Sequence, residues 1–430
     1  MRIWNQASEL AAQTPKTRNR YVDFLRAVSI LVVITGHWLI STVYYLDGEL
    51  AFAHLFAIQP ATRWLTWIFQ VMPVFFIVGG YANAVSIESA QRKGLGYAGW
   101  LSGRLTRLMT PLIVLLIIWA TLALAMHLSG AGPDLIQLVT RAALIPTWFL
   151  AIYIMTVLLA PPMYRFWRRL GFASIGILVA VAVLTDILFF GFEIRWPSWS
   201  NYFWVWLAIH SLGFAWRDGR LGDTTQQLSY SAVALSLLWI LVFQGPYPLA
   251  MVGSPDMTLS NTTPPKITLL ALGVFQFGLL MVFEQPMRRA LTGLGLWTAT
   301  VLINSMIMTI YLWHITLSIA LIGLLYLADG AGMGFEPGGL AWWLTRPAWI
   351  AVLAALLVPV ALLLSPLERM SRVGGTTERP APRQVAGAMM LCLGVALLAR
   401  FGFGGTPVPG LDIGAFALVI VGAGISVLPP

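Results

Sequence analysis

Residues 21–45 read YVDFLRAVSILVVITGHWLISTVYY, and the interpretation of this stretch decides the fold. It is long and apolar enough to cross a bilayer, which takes about 20 mostly apolar residues as a helix. Yet it carries Asp23, Arg26 and His37. Arg26 and His37 are eleven residues apart, a separation that returns to nearly the same helix face. At a rise of about 1.5 Å per residue the imidazole lies about 16 Å further along the axis than the guanidinium. The stripe therefore holds a cation near one membrane surface and a titratable base near the middle. Ionisable groups at that depth are costly, face a cavity or a partner, and mark function by default. The plainer explanation is a packing histidine and a snorkelling arginine.

The remainder of the chain fits a membrane protein. Of 430 residues 58% are hydrophobic and only 10% charged, against about 25% charged in soluble chains. The expected fold is all-α, a polytopic transmembrane helical bundle. Nineteen Trp and twelve Tyr suit interfacial aromatic belts. The net charge of +9 sits in short basic clusters between apolar spans, so it is read as topology and no nucleic acid is expected as a partner. Cys392 is the single cysteine, which excludes an internal disulfide and a Cys-rich metal site, and no metal is expected. The first apolar stretch is too long and too charged for a signal peptide and is expected to remain as a helix.

Apolar runs place spans near 22–44, 66–88, 107–128, 147–164, 171–191, 200–216, 228–244, 267–284, 297–326 and 342–365, with weaker, Gly-rich ones near 385–403 and 411–428. With the N-terminus in the cytoplasm, the outer segments hold Arg63, Arg141, Arg195, Lys266, Arg346 and Arg400. Arg26 sits at the inner end of the first span, and the other nineteen of 26 Lys and Arg fall in inner segments. That asymmetry satisfies the positive-inside rule and points to a multi-pass protein of the cell membrane in contact with membrane lipids. The expected layout is a cytoplasmic segment 1–20, a ten-span body 21–365, a cytoplasmic linker 366–384 (PLERMSRVGGTTERPAPRQ) and a C-terminal hydrophobic pair 385–430.

Four further stretches carry chemistry. GRLTRLMTPL (103–112) places Arg104 and Arg107 one turn apart at the level assigned to Arg26, and arginine forks suit phosphate oxygens. Ordinary positive-inside anchoring explains the pair as well. MPVFFIVGGYANAVS (72–86) offers Gly79 and Gly80 for close helix approach. PTWFLAIYIMTVLLAPP (146–162) places Trp148 and Tyr153 in the outer half of its span, either as belt residues or in support of a site. IYLWHIT (310–316) puts His314 at a depth similar to His37. His210 either lines the same cavity or packs, and Asp186 and Asn304 are intramembrane polar groups without a role.

Taken together and in order, RAVSILVVITGH, FFIVGGYANA, RLTR before TPL, WFLAIY and YLWHITL resemble the acyltransferase 3 family of integral membrane acyltransferases, most closely its actinobacterial members. The resemblance spans residues 21–320. It implies that His37 is catalytic, that Arg26 is the family's arginine preceding it with ten residues between, and that Arg104 and Arg107 serve an acyl-CoA donor. It also implies transfer of an acetyl or other short acyl group to a hydroxyl of a carbohydrate or lipid-linked acceptor of the cell envelope. The acidic residues typical after WFL are absent, since the chain reads AIYIM, and the C-terminal pair lies outside the pattern.

The residues independently suit an O-acyltransferase that needs no bound cofactor. Acyl-CoA is the donor substrate, its phosphates on the three arginines, and His37 is a general base whose ordinary pKa of about 6.5 fits neutral pH. Asp23, one turn below Arg26, is placed to orient it, and His314 to orient His37 or share the proton. No GxSxG, HExxH or P-loop is present, so hydrolase, zincin and ATPase readings lack support. The alternative is a proton-coupled secondary transporter in which the same His and Arg act as relay groups, and a third reading is an inactive relative.

Overall fold

A computed structural model describes residues 2–15, 17–254, 256–373, 379–404 and 410–426. Helix α1 (Arg2–Ala12) precedes α2 (Arg20–Ile40), whose N-terminus is capped by the Asn19 side chain accepting from the Tyr21 amide at 3.1 Å. A hairpin of β1 (Ser41–Leu46) and β2 (Glu49–His54) follows, then α3 (Leu55–Ile58) and α4 (Thr66–Phe69). The long helices are α5 (Met72–Arg92), α6 (Tyr97–Leu128), α7 (Pro133–Leu170), α8 (Phe172–Gly191), α9 (Asn201–Arg217) and α10 (Thr224–Phe243). They are followed by α11 (Ile267–Val282), α12 (Glu284–Ala290), α13 (Leu294–Ser305), α14 (Ile307–Leu327), α15 (Leu340–Val373), α16 (Ala381–Phe401) and α17 (Leu411–Ser426). Among the described residues nine helices are long and apolar enough to cross a membrane, or ten if α11 and α12, bent by 53°, form one span. Large apolar side chains such as Val233 and Leu363 lie on the outside, as expected where lipid is the solvent.

Helix α9 is the bundle's centre, with Val205 to Ile209 and Phe214 almost fully buried. It meets α5 at the paired glycines. A Cβ on Gly80 would collide with the His210 carbonyl oxygen, and one on Gly213 with the Ile77 carbonyl oxygen. Backbones can approach that closely only where both sides are small. Phe76 and Trp206 stack beside the contact at 4.5 Å between centroids. Gly80→Ala is therefore expected to cost about 1–3 kcal/mol through overpacking, seen as a lowered melting temperature of the detergent-purified protein.

Several expectations from the sequence are corrected. The first span ends at Ile40 rather than at residue 44, because STVYYL pairs with ELAFAH across a two-residue turn at Asp47 and Gly48, both with positive φ. That is the backbone a type I′ hairpin turn requires. His37 consequently lies in the last turn of α2 and not near the middle of its span. The span expected at 147–164 is the second half of a 38-residue helix that runs through Pro146, Pro161 and Pro162, so Trp148 and Tyr153 sit at mid-helix. The single span expected at 297–326 is broken at Met306.

The segment expected as the linker 366–384 is largely helical, since α15 continues to Val373 and α16 starts at Ala381, and residues 374–378 lie outside the described residues. Glu368 is buried and accepts from the amide and hydroxyl of Thr309 at 2.6 and 2.7 Å, capping α14 where the chain restarts after the break. The C-terminal pair is docked on the body. Cys392 Sγ reaches Ala151 O at 3.5 Å, Gln384 donates to Ala98 O at 3.1 Å, and Gln137 donates to Phe401 O at 3.0 Å. Gly387 and Gly422 face each other so closely that a Cβ on Gly387 would stand 2.6 Å from the Gly422 carbonyl. The last two residues of the expected span 411–428 lie outside the described residues. Lys266, counted as an outer-loop cation, is fully buried. Its Nζ donates to Ser198 Oγ at 2.5 Å and stands 3.7 Å from Asp186 Oδ1, which gives Asp186 a structural partner.

Candidate active site

The site is built on α2. Two residues of its first two turns, Asp23 and Arg26, face α13 and the N-terminal segment. Asp23, buried, accepts from Arg18 at 2.6 and 3.1 Å and from Arg26 Nη2 at 3.2 Å. Arg18 stands outside the spans, and its hydrogen bond to Asp23 raises its pKa above the ordinary value. Asn304, at the end of α13, accepts from Arg26 Nε at 2.5 Å and donates to the Asp23 carbonyl at 2.9 Å. Arg26 is thus oriented by Asp23, as its position one turn below suggested, and also by Asn304, for which the sequence offered no role. Irregular backbone such as the break at Met306 survives at membrane depth only inside protein or against a cavity.

Arg104 on α6 comes within electrostatic reach of Arg26 and of Tyr153. Its guanidinium lies over the Trp100 ring, 5.8 Å from the centroid, and donates to the Ala82 carbonyl at 3.3 Å. Two guanidinium groups within electrostatic reach of one another, one of them paired with Asp23, make a region of positive potential suited to an anion. Arg107 follows one turn along α6, half-buried. Tyr153 packs on α5: a Cβ on Gly79 would stand 2.8 Å from its ring. The ring also stacks with Phe149 at 6.2 Å and meets Phe75 edge-on at 5.5 Å. Trp148 is half-buried and meets Phe149 edge-on at 6.5 Å, a packing contact one turn from the others.

At the far end of α2, His37 Nδ1 lies 2.8 Å from His314 Nε2, with the ring planes within 10° of each other. His37 is half-buried, whereas His314 is fully buried. His314 Nδ1 reaches the Tyr311 carbonyl at 2.6 Å, and Trp38 Nε1 donates to the His314 carbonyl at 3.1 Å. Tyr311 is fixed in turn by its hydroxyl, which donates to Pro146 O on α7 at 2.7 Å. The sequence put both imidazoles at one level, and the fold joins them. His210 belongs elsewhere: it is fully buried between α5 and α9, with Nε2 3.1 Å from the Asn83 amide nitrogen. The sequence missed Tyr311 as the orienting carbonyl and Glu368 as the cap below it. A backbone acceptor leaves no trace in side-chain identity, and Glu368 stood in a segment with linker composition.

The arrangement combines a half-buried imidazole in the last turn of one helix with a cluster of arginines about three turns below it. It is capable of removing a proton from a hydroxyl while holding an anionic group at the N-terminal end of α2. The profile of a family described as an acyltransferase domain, acyltransferase 3, matches residues 19–366, from just before α2 to within α15. No curated protein and no solved structure matches the chain.

Proposed function

The chain belongs to the acyltransferase 3 family of membrane acyltransferases, and from that premise we propose that it transfers an acetyl or other short acyl group from acyl-CoA to a hydroxyl of a sugar, glycan or lipid-linked acceptor, with His37 as general base. The observation that carries the reading is that His37, joined to His314 at 2.8 Å, lies on the same helix as Arg26, which comes within electrostatic reach of Arg104.

In this reading acyl-CoA binds from the cytoplasmic, Arg-rich side. Its phosphates lie on Arg26 and Arg104, with Arg107 at the entrance, and the pantetheine arm runs along α2. His37 removes the proton of the acceptor hydroxyl as its oxygen bonds to the thioester carbonyl carbon. The tetrahedral oxyanion then collapses, the carbon–sulfur bond breaks, and the imidazolium returns the proton to the departing CoA sulfur. The products are an ester and free CoA. Because α2 ends one turn after His37 and turns into the hairpin, the acceptor approaches from the face opposite the N-terminus. A base at neutral pH contributes about 10²–10⁴-fold to such a step.

The test supplies detergent-purified protein with radiolabelled acetyl-CoA and a panel of free and lipid-linked sugars. Label is expected in an alkali-labile ester on an acceptor, with one CoA thiol released per ester. Vesicle uptake coupled to a proton gradient, with acyl-CoA left intact, would overturn the reading in favour of transport.

A further inference from the structure

We propose that His314 is a positioning residue that fixes the tautomer of His37, so that the basic lone pair presented to substrate is on Nε2. The inference rests on the reading of His37 as the base.

The argument starts at a backbone oxygen. The Tyr311 carbonyl can only accept, so at 2.6 Å the His314 Nδ1 facing it must carry a hydrogen. The opposite assignment would bring two lone pairs together at that distance. A neutral imidazole has one N–H, so His314 Nε2 is an acceptor. His37 Nδ1 stands 2.8 Å from that acceptor and must therefore be the donor. With its only hydrogen on Nδ1, neutral His37 keeps its lone pair on Nε2. A reversed chain requires a doubly protonated His314. That cation would be fully buried, and among the described residues no carboxylate pairs with it, a costly state.

An isolated histidine in water exchanges its hydrogen between the two nitrogens, and the hydrogen bond made by one nitrogen decides the state of the other. Here the orienting chain is built from three helices. Tyr311 and His314 are one turn apart on α14, Trp38 of α2 donates to the His314 carbonyl, and the Tyr311 hydroxyl donates to Pro146 O on α7. When His37 takes a proton on Nε2, its Nδ1–H continues to donate to His314 Nε2. The pair thus accommodates the imidazolium without moving. His314 holds a proton at Nδ1 throughout and passes none on.

Two variants separate this role from packing. His314→Leu keeps an apolar side chain but removes the acceptor. Loss of the outer partner that orients a metal-bound histidine typically costs about 10–100-fold, and a loss of that order is expected here in kcat, with KM for acyl-CoA unchanged. His314→Gln restores an acceptor to His37 Nδ1 and is expected to recover most of the loss. Nitrogen NMR of isotope-labelled histidine in the full-length protein in bilayers, assigned with His37→Ala, is expected to show Nδ1 protonated and Nε2 bare on His37. In His314→Leu it is expected to show a mixture of tautomers. A wild-type His37 protonated on Nε2 overturns the proposal, as does a His314→Leu variant with the wild-type kcat. If the NMR shows the assigned tautomer but wild type consumes no acyl-CoA, the acyltransferase reading fails at the donor and not at the pair.

Discussion

Replacing His37 by alanine is expected to lower acyl transfer by about 10²–10⁴-fold, the contribution of a positioned general base. CoA affinity should stay close to wild type. The separation follows from geometry. His37 lies in the last turn of α2 with its ring against His314, while Arg26 lies eleven residues earlier on the same helix. On the proposed reading, removing the imidazole takes away the base and leaves Arg26 and Arg104, the proposed phosphate partners, in place. It also leaves His314 Nε2 without its donor inside a buried site, a penalty of about 1–3 kcal/mol that falls on stability. The melting temperature should drop, and rates are to be compared well below it. Equal losses of CoA binding and turnover would mean that the variant is misfolded or that His37 contacts the donor directly.

The second large effect is on donor affinity. A hydrogen bond to a charged group contributes about 1.5–3 kcal/mol, so Arg104→Ala is expected to raise the Kd for CoA about 10- to 150-fold. Adding Arg26→Gln is expected to bring the loss to about 10²–10⁴-fold if each arginine binds phosphate. Arg26→Gln need not strand a charge, because Asp23 keeps its two hydrogen bonds from Arg18. The variants should lose the salt dependence of binding together with the affinity, since screening acts only on charges that are present. Isothermal titration of CoA into the detergent-solubilised variants measures both effects. An unchanged affinity in the double variant would show that the guanidinium groups serve topology alone.

The apolar runs and the basic clusters were enough to read a polytopic helical bundle, because burial in lipid imposes a length and a charge asymmetry that local sequence records. The Arg26–His37 stripe was legible for the same reason, being a single-helix periodicity. Tertiary features were harder. The hairpin at Ser41–His54 had its signal in the Asp47-Gly48 pair between two alternating runs, but the apolarity of STVYYL extended the helix reading past Ile40. The break at Met306 has no Pro or Gly to announce it. It is held by Glu368 from a distant helix and by Asn304 turning to Arg26, which are long-range contacts that no local pattern encodes. The C-terminal pair was read as weak because glycine dilutes hydropathy. The same glycines, Gly387 and Gly422, are what allow α16 and α17 to approach. Linker composition hid Glu368 in the same way.

The most direct test of the central claim is a paired measurement on wild type, His37→Ala and Arg104→Ala: CoA binding, and release of free thiol from acetyl-CoA with an acceptor present. The account predicts that wild type binds and turns over, that His37→Ala binds but releases no thiol above background, and that Arg104→Ala binds CoA about 10- to 150-fold more weakly than wild type. Turnover by His37→Ala at the wild-type rate, or wild-type protein that neither binds CoA nor releases thiol from any short acyl-CoA, would contradict it.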